Sequence, residues 1–454
     1  MGAGLIQLSA IGPQDFHLTA NPQITFFKTV FKRHTNFSKE VKRIFFSGES
    51  TPGLGSKDLK AVIRNEGDLL GKVFLEIQLT YTKSGVETPY SVANFSNALL
   101  EKVVCKIGSD TVDTQYGRFY QILDELEGKT PYFTQNISDS TYGGLYTNID
   151  RTDATSQSYE TISPVNKMRG NYTIPFSGGT HNGQTVSNGT YTKRFYIPLR
   201  FWFNNNEGMY LPLVSLFKHR VELFFDFANS ESVIGESTGI TAFSITPTLF
   251  GEFIFLDKNE KTRFAQSNHE YIIEQHQLNN SFREVVTTSN DTTTELSQMN
   301  IELNFSHPIK YMAWVIVNEG TPGSNKGAGP CYFTSLTESS LYGNDGKSGK
   351  VEILLEGVTR EIEMPMTYFT RVIPYNSFKA VPLLDRIGVY SFALNPLDYE
   401  PSGTCNFSKL YDKNIKIKFA NNDYNLISGK DLYIYAVNYN ILTITNGMGQ
   451  VRYT

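Results

Sequence analysis

The chain has 454 residues, 41 of them basic and 45 acidic, for a formal net charge of −4. That length is too great for one ordinary core and comfortable for two. The near balance of charge, with no long basic run, excludes neutralisation of nucleic acid as the main task. Aromatics reach 13%, 32 Phe and 26 Tyr against 2 Trp, which favours half-buried pleated surfaces and hence β-structure.

At the N-terminus, Gly4, Leu5 and Ile6 follow no basic region and precede no long apolar stretch, so no secretory signal is expected. Gln7 stands where a myristoylation pattern needs Ser or Thr. Lys28, Lys32, Arg33, His34, Lys39, Lys42 and Arg43 form the densest basic stretch. It reads as a solvated face or a contact for an acidic partner, with direct contact to DNA as the alternative. A strand is predicted at 41–46 and another at 72–79. In the second, Val73, Leu75, Ile77 and Leu79 share one face, and Glu76, Gln78 and Thr80 the other. A short helix is expected at 93–102, then a strand through Val104 to Ile107 with Cys105 as a packed core thiol. Residues 117–126 read as a helix with Phe119, Ile122, Leu123 and Leu126 on one side.

Residues 128–192 are rich in Gly, Thr, Ser, Asn and Tyr and lack apolar periodicity, so they are expected to form a large exposed insertion. Strands are then predicted at 194–199, 220–227 and 249–257, and a charged helical connector at 257–264. The longest apolar run, 311–317, is far short of the ~20 residues of a membrane helix. Three cysteines without CxxC spacing fit a reduced compartment. A soluble product made in the cytosol is the expectation.

The second half repeats the order of the first. Residues 72–79 match 310–317. Cys105–Gly108 with Val112, Asp113 and Phe119 match Leu354–Gly357 with Ile362, Glu363 and Phe369. Residues 216–223 match 410–417, and 253–255 match 433–435. Each match is weak; their common order predicts a duplicated β-domain, not a solenoid. Composition leaves an immunoglobulin-like sandwich open, whereas crossover helices at 117–126 and 366–372 favour a jelly roll. The predicted fold is all-β: two tandem eight-stranded antiparallel jelly rolls (a double jelly roll) with short helices in the crossovers. The expected organisation is an N-terminal arm 1–23, a first roll 24–257 carrying the insertion 128–192, a connector 258–265, and a second roll 266–454.

Five blocks carry a resemblance: Gly4–Leu8 with Gly12–Asp15, Leu18–Lys28 and Arg33–Phe37; Arg194–Leu199 with Leu211–Leu213; Phe255–Asp257 with Arg263–Gln266 and His269–Tyr271; Pro401–Ser408; and Asn438–Leu442 with Gly447–Gly449. Together, in this order, the chain resembles the major capsid proteins of nucleocytoplasmic large DNA viruses, the group of phycodnaviruses and iridoviruses. It departs from the common pattern in the long 128–192 segment and in Gly12-Pro13, where relatives often have Gly-Ala. The resemblance implies a structural protein of the virion, assembled in host cytoplasm. Three chains would form a trimer whose six rolls give a near-hexagonal outline that tiles an icosahedral shell. The arm would lie at the capsomer base, facing minor capsid proteins and an internal membrane. The insertion would form an outward tower, and direct nucleic-acid contact is not expected.

No catalytic, cofactor-binding or metal-binding residue is assigned, and no cofactor is expected. Gly346-Lys347-Ser348 and Gly128-Lys129-Thr130 lack the first glycine of a phosphate loop, having Leu341 and Leu123 in its place. The histidines (His17, His34, His181, His219, His269, His276 and His307) have no ligand spacing. His269 reads as a domain-junction hydrogen bond. Asp124, Glu125 and Glu127 read as a solvated face, and no two carboxylates pair for glycosidase work. Nine Asn-X-Ser/Thr sequons, at Asn36, Asn94, Asn136, Asn171, Asn188, Asn279, Asn290, Asn304 and Asn406, are read as turn composition rather than host-type glycosylation sites. A lectin would bind glycans without assembling, a minor capsid paralogue would be scarce in virions, and a cupin-type enzyme would need clustered histidines that are absent.

Overall fold

Period-two alternation builds the first sheet. Val73, Leu75, Ile77 and Leu79 are buried while Phe74, Glu76, Gln78 and Thr80 are half-buried. In this computed structural model the described residues are 3–10, 12–13, 15, 19–29, 31–47, 52–85, 90–91, 95–128, 146–147, 172–173, 189–236, 239–279, 282–283, 298–317, 331, 333, 336, 349–382, 385–418 and 431–453. The chain divides into two compact units, Met1–Phe37 and Ser38–Thr454.

The first half supplies β1 (Phe37–Ile44), β2 (Leu59–Ile63), β3 (Leu69–Lys83), β4 (Leu100–Ile107), β5 (Asp110–Tyr116), β6 (Gly189–Pro198), β7 (Val221–Phe227) and β8 (Ile240–Leu256). The second supplies β9 (His269–Leu278), β10 (Gln298–Glu302), β11 (Pro308–Val317), β12 (Lys350–Leu355), β13 (Val358–Pro365), β14 (Gly388–Ser391), β15 (Lys413–Lys418) and β16 (Asp431–Thr445). Sheet orders are β1-β8-β3-β6 and β2-β7-β4-β5 in one half, β9-β16-β11-β14 and β10-β15-β12-β13 in the other, with short strands added at the margins. The two orders are identical when eight is added to each number. The chain is therefore a double jelly roll, as the repeated order predicted.

Helix α1 (Ala3–Ser9) lies in the unit Met1–Phe37. Helix α2 (Gly117–Glu127) follows β5, α3 (Lys258–Gln266) joins the halves, and after β13 a wide turn over Tyr368–Val372 continues into α4 (Ile373–Ser377). Pro374 explains the wide turn, because its ring excludes an ordinary helical bond to the carbonyl four residues back. Gly117 is required where α2 begins: a Cβ there would lie 2.0 Å from the Leu100 carbonyl oxygen.

Several expectations shift. Of the helix expected at 93–102, Phe95–Leu99 is helical, and it ends at Leu99 because Leu100, Val103, Cys105 and Ile107 enter the sheet. Strand β6 starts at Gly189, inside the expected insertion, where residues 189–198 pair with β3. Tyr146–Thr147 pairs with Tyr172–Thr173; most of 128–192, including Lys129 and Thr130, lies outside the described residues, as does Gly346-Lys347-Ser348.

The repeat matches join the right strands; 216–223 with 410–417 is in phase, setting the core residues Val221 and Leu223 against Ile415 and Ile417, but 72–79 with 310–317 is out of phase. Val73 points into its own roll's core, but its partner in the match, Tyr311, points outward; the core-facing residues of β11 are Met312, Trp314 and Ile316. A slip of one residue exchanges the faces of a strand. Likewise Phe369 enters the second core, so its counterpart in α2 is Tyr120, not Phe119.

Candidate assembly surfaces and the seam between the rolls

Strand β11 is buried along both faces. Ile309, Met312, Trp314 and Ile316 fill the second roll's core. Tyr311, Ala313, Val315 and Val317 instead meet α2 of the first roll through Phe119, Ile122, Leu123 and Leu126, with Tyr435 and Val437 of β16 and Val389 of β14 beside them. Burying each Val, Leu, Ile or Phe side chain among them contributes ~1.5–3 kcal/mol before ordering costs. Phe119 lies 5.2 Å from the Tyr435 ring and 5.1 Å from the His276 ring, centroid to centroid. Arg118 stacks 3.7 Å over Tyr433.

Polar contacts fix the register of this seam. The His276 backbone N–H donates to Asp113 Oδ1 at 2.9 Å, and its Nδ1 lies 3.1 Å from Asp113 Oδ2. Thus β5 of the first roll abuts β9 of the second. The Ala380 N–H donates to the Leu126 carbonyl at 3.0 Å.

The acidic residues of α2 are not the solvated face that was expected. The Arg200 guanidinium, 10% exposed, donates to Glu127 at 2.8 Å and pairs with Asp124. Burial alone would lower the Arg200 pKa; the Asp124 and Glu127 carboxylates outweigh it and the pKa is raised. Lys310, almost fully buried, pairs with Glu274 and lies 4.9 Å from the Tyr439 ring. A cavity of ≈ 300 Å³ bordered by Arg200, Glu274, His276 and Asp398 adjoins both pairs. Their partners lie 73 or more residues away from Arg200 and 36 from Lys310, so no local pattern announces them.

The quoted sequence blocks have structural reasons. His269 Nε2 lies 2.8 Å from the Phe264 carbonyl and 3.2 Å from Ser215 Oγ, the junction hydrogen bond expected of it. Leu211 exchanges two backbone hydrogen bonds with Leu70. The Asn406 side chain accepts from Ser408 N–H at 3.1 Å, and Phe407 fills the second core. The Gly447 carbonyl accepts from Lys218 and His219 N–H, at 3.0 and 3.3 Å. A Cβ at Gly447 would lie 2.6 Å from the Phe217 ring, and one at Gly449 2.8 Å from Ile107. This hairpin therefore clips the second roll to the first. Its end places Leu442, Ile444 and Val451 in the first roll's core cluster.

Among the described sequons, Asn279 is buried and donates to the Glu302 carbonyl at 2.8 Å, whereas Asn36, Asn304 and Asn406 are exposed. Cys105 and Cys331 are buried, and burial raises both thiols, Cys331 to about 12, so neither is ionised at neutral pH. Among the described residues no cluster of three His, Cys, Asp or Glu could hold a metal ion, and no helix is long and apolar enough to cross a membrane. In the unit Met1–Phe37, Leu5, Ile6, Leu8, Ile24, Phe26, Phe27 and Phe31 are all exposed.

Comparison with known proteins decides the family. Residues 25–257 match the family described as major capsid protein N-terminus, and 260–450 the family described as large eukaryotic DNA virus major capsid protein. The chain belongs to the major capsid proteins of large eukaryotic DNA viruses. It is 34% identical to the major capsid protein of Paramecium bursaria Chlorella virus 1 and 31% identical to that of Pyramimonas orientalis virus, over the full length of each chain. The PBCV-1 capsid, in a quasi-atomic structure, superposes with a TM-score of 0.71 at 27% identity, over 95% of this chain and 100% of that one. The Faustovirus major capsid protein shares the fold at a TM-score of 0.65 and 12% identity, over 97% and 96%. As a major capsid protein the chain is a structural component of the virion, not an enzyme, and its work is self-association.

Proposed function

We propose that three copies of this major capsid protein form a capsomer of near-hexagonal outline, and that such capsomers tile an icosahedral shell. The observation that carries this is the tandem pair of rolls with one strand order, fused through a helix-on-sheet seam. Two equivalent units per chain let a three-fold assembly imitate a six-fold one, and a six-fold outline tiles a plane. Sedimentation of the purified chain tests it: the expected species has three times the 51.2 kDa chain mass. A monomer at micromolar concentration and physiological salt overturns it.

In this reading residues 1–23 are an arm at the capsomer base, 24–257 and 266–454 are the two rolls, and 258–265 the connector. The exposed Leu5, Ile6 and Leu8 suit an apolar surface such as a minor capsid protein or an internal membrane. The insertion 128–192 faces outward, assembly takes place in host cytoplasm, and the genome is not contacted directly. No catalytic, metal or cofactor site is assigned.

A further inference from the structure

The cavity of ≈ 300 Å³ beside the seam lies between two loops and a strand. The loop after β6 supplies Arg200 and Trp202, the loop after β14 supplies Asp398 and Tyr399, and β9 supplies Glu274 and His276. Trp202 and Tyr311 are almost fully buried, whereas Tyr399 is 43% exposed and the Lys379 and Asp398 side chains are exposed. The first two therefore lie deep in the cavity and the last three form its mouth.

Each charged side chain of the wall already has a partner of opposite sign. Arg200 pairs with Asp124 and Glu127, Glu274 with Lys310, Asp398 with Lys379 at 3.4 Å, and His276 with Asp113. An ionic ligand would have to displace one of these partners or remain unpaired away from water, and either is costly. A neutral ligand meets no such penalty.

Hydrogen-bonding capacity is left over. Lys310 takes one oxygen of Glu274 and Lys379 one of Asp398, so the second oxygen of each can accept. Asp113 engages His276 Nδ1, and no described residue bonds to Nε2. The Trp202 indole N–H is buried without a partner, a state that native structures seldom leave unexplained. Acceptors and a donor around one space suit hydroxyl groups, which do both. The rings of Trp202, Tyr311 and Tyr399 offer apolar faces to the C–H side of a saccharide ring. The volume stands at the lower end of ligand pockets, which span ~300–1,000 Å³, so it suits one sugar ring and not a chain of them.

We propose that this cavity is a binding site for one ring of a neutral saccharide. Its hydroxyls donate to Glu274, Asp398 and His276 and accept from Trp202, and its apolar side rests on Tyr399 at the mouth. The site is built within one chain, so it stands or falls apart from the trimer reading.

Ligand-observed NMR titration of the full chain with the methyl glycosides of glucose, galactose, mannose and xylose tests it. At least one is expected to bind at one site per chain with a dissociation constant of about 1 mM or tighter, the scale of a small ligand held by a few hydrogen bonds. Tyr399→Ala is expected to weaken that binding about tenfold, the loss of one aromatic contact. Trp202→Phe keeps a ring, removes the N–H, and is expected to cost about tenfold as well. Tyr411→Ala, at an exposed turn away from the cavity, is expected to change nothing. Methyl glucosaminide and methyl glucuronide, cationic and anionic, are expected to bind at least about tenfold more weakly than the neutral sugar. Binding by none of the four neutral glycosides overturns the proposal. So does binding that both cavity variants leave intact, which would put the site elsewhere, or a charged sugar that binds as tightly as a neutral one. Unchanged thermal unfolding of Tyr399→Ala, at its exposed position, shows that its lost affinity is not lost folding.

Discussion

Strands β3 and β11 occupy the same place in the same strand order, yet their sequences differ in kind. In β3 apolar residues alternate with Phe74, Glu76, Gln78 and Thr80, and only the apolar set is fully buried. In β11 the whole run from Ile309 to Val317 is buried, because one face meets its own roll and the other meets α2. A strand covered on both sides reads as a continuous apolar run, and one covered on a single side as an alternation. The contrast therefore records where each sheet finds its cover: the outer face of β11 is buried within the chain, and that of β3 stays half-buried.

The sharpest way to break this contrast is to place one charge on each outer face. Val315→Asp buries an unpaired carboxylate in the seam and is expected to destabilise the chain by more than ~3 kcal/mol in denaturant unfolding. Thr80→Asp, at the half-buried position of β3, is expected to leave the near-ultraviolet circular dichroism of the folded chain unchanged and to shift its stability by under ~0.5 kcal/mol. Equal effects from the two would refute the assignment of one covered and one uncovered sheet.

Removing Arg200 tests the polar side of the same seam. Arg200→Ala strands Asp124 and Glu127 in a buried setting, and a loss of ~3–5 kcal/mol is expected in urea unfolding. A loss under ~1 kcal/mol would return those carboxylates to the solvated role read from sequence. The hairpin clip is smaller. Gly447→Ala forces a Cβ against Phe217 at a backbone φ of +84°, so ~1–3 kcal/mol is expected from the same measurement. No change would mean that Phe217, itself exposed, swings aside freely.

The smallest effect belongs to the surface ladder of the second roll. Hydrogen bonds from Lys418 and then Lys350 hold the Glu363 carboxyl below its ordinary value. A depressed carboxyl stabilises the fold fully above the ordinary carboxylate range and loses that contribution as pH falls through the lowered value. Glu363→Gln is thus expected to cost under ~0.5 kcal/mol at pH 7 and nothing in strong acid, seen as converging melting curves. A larger penalty in acid than at neutrality would contradict the sign.

Periodicity made most of the strands legible, and the order of the matches made the duplication legible. The phase of 310–317 against 72–79 was not. Lys72–Leu79 and Lys310–Val317 look alike, but a pattern that is apolar at every position carries no information about which face is inward. The same blindness paired Phe119 with Phe369, although one faces the neighbouring roll and the other its own core. The acidic run of α2 resembled a wet surface because its cation, Arg200, comes from a distant loop.

What the sequence determined by itself is the class of strand-rich architecture, its duplication, and the family, since alternation, turn residues and ordered blocks are local properties of a chain. What only the tertiary structure decided is the seam: which face of β11 is core and which is joint, why a side chain at Gly447 would meet Phe217, and where Asp124 and Glu127 find their charge. Those facts depend on residues brought together across tens to hundreds of positions by folding. Contact at that range leaves no period in the sequence to read.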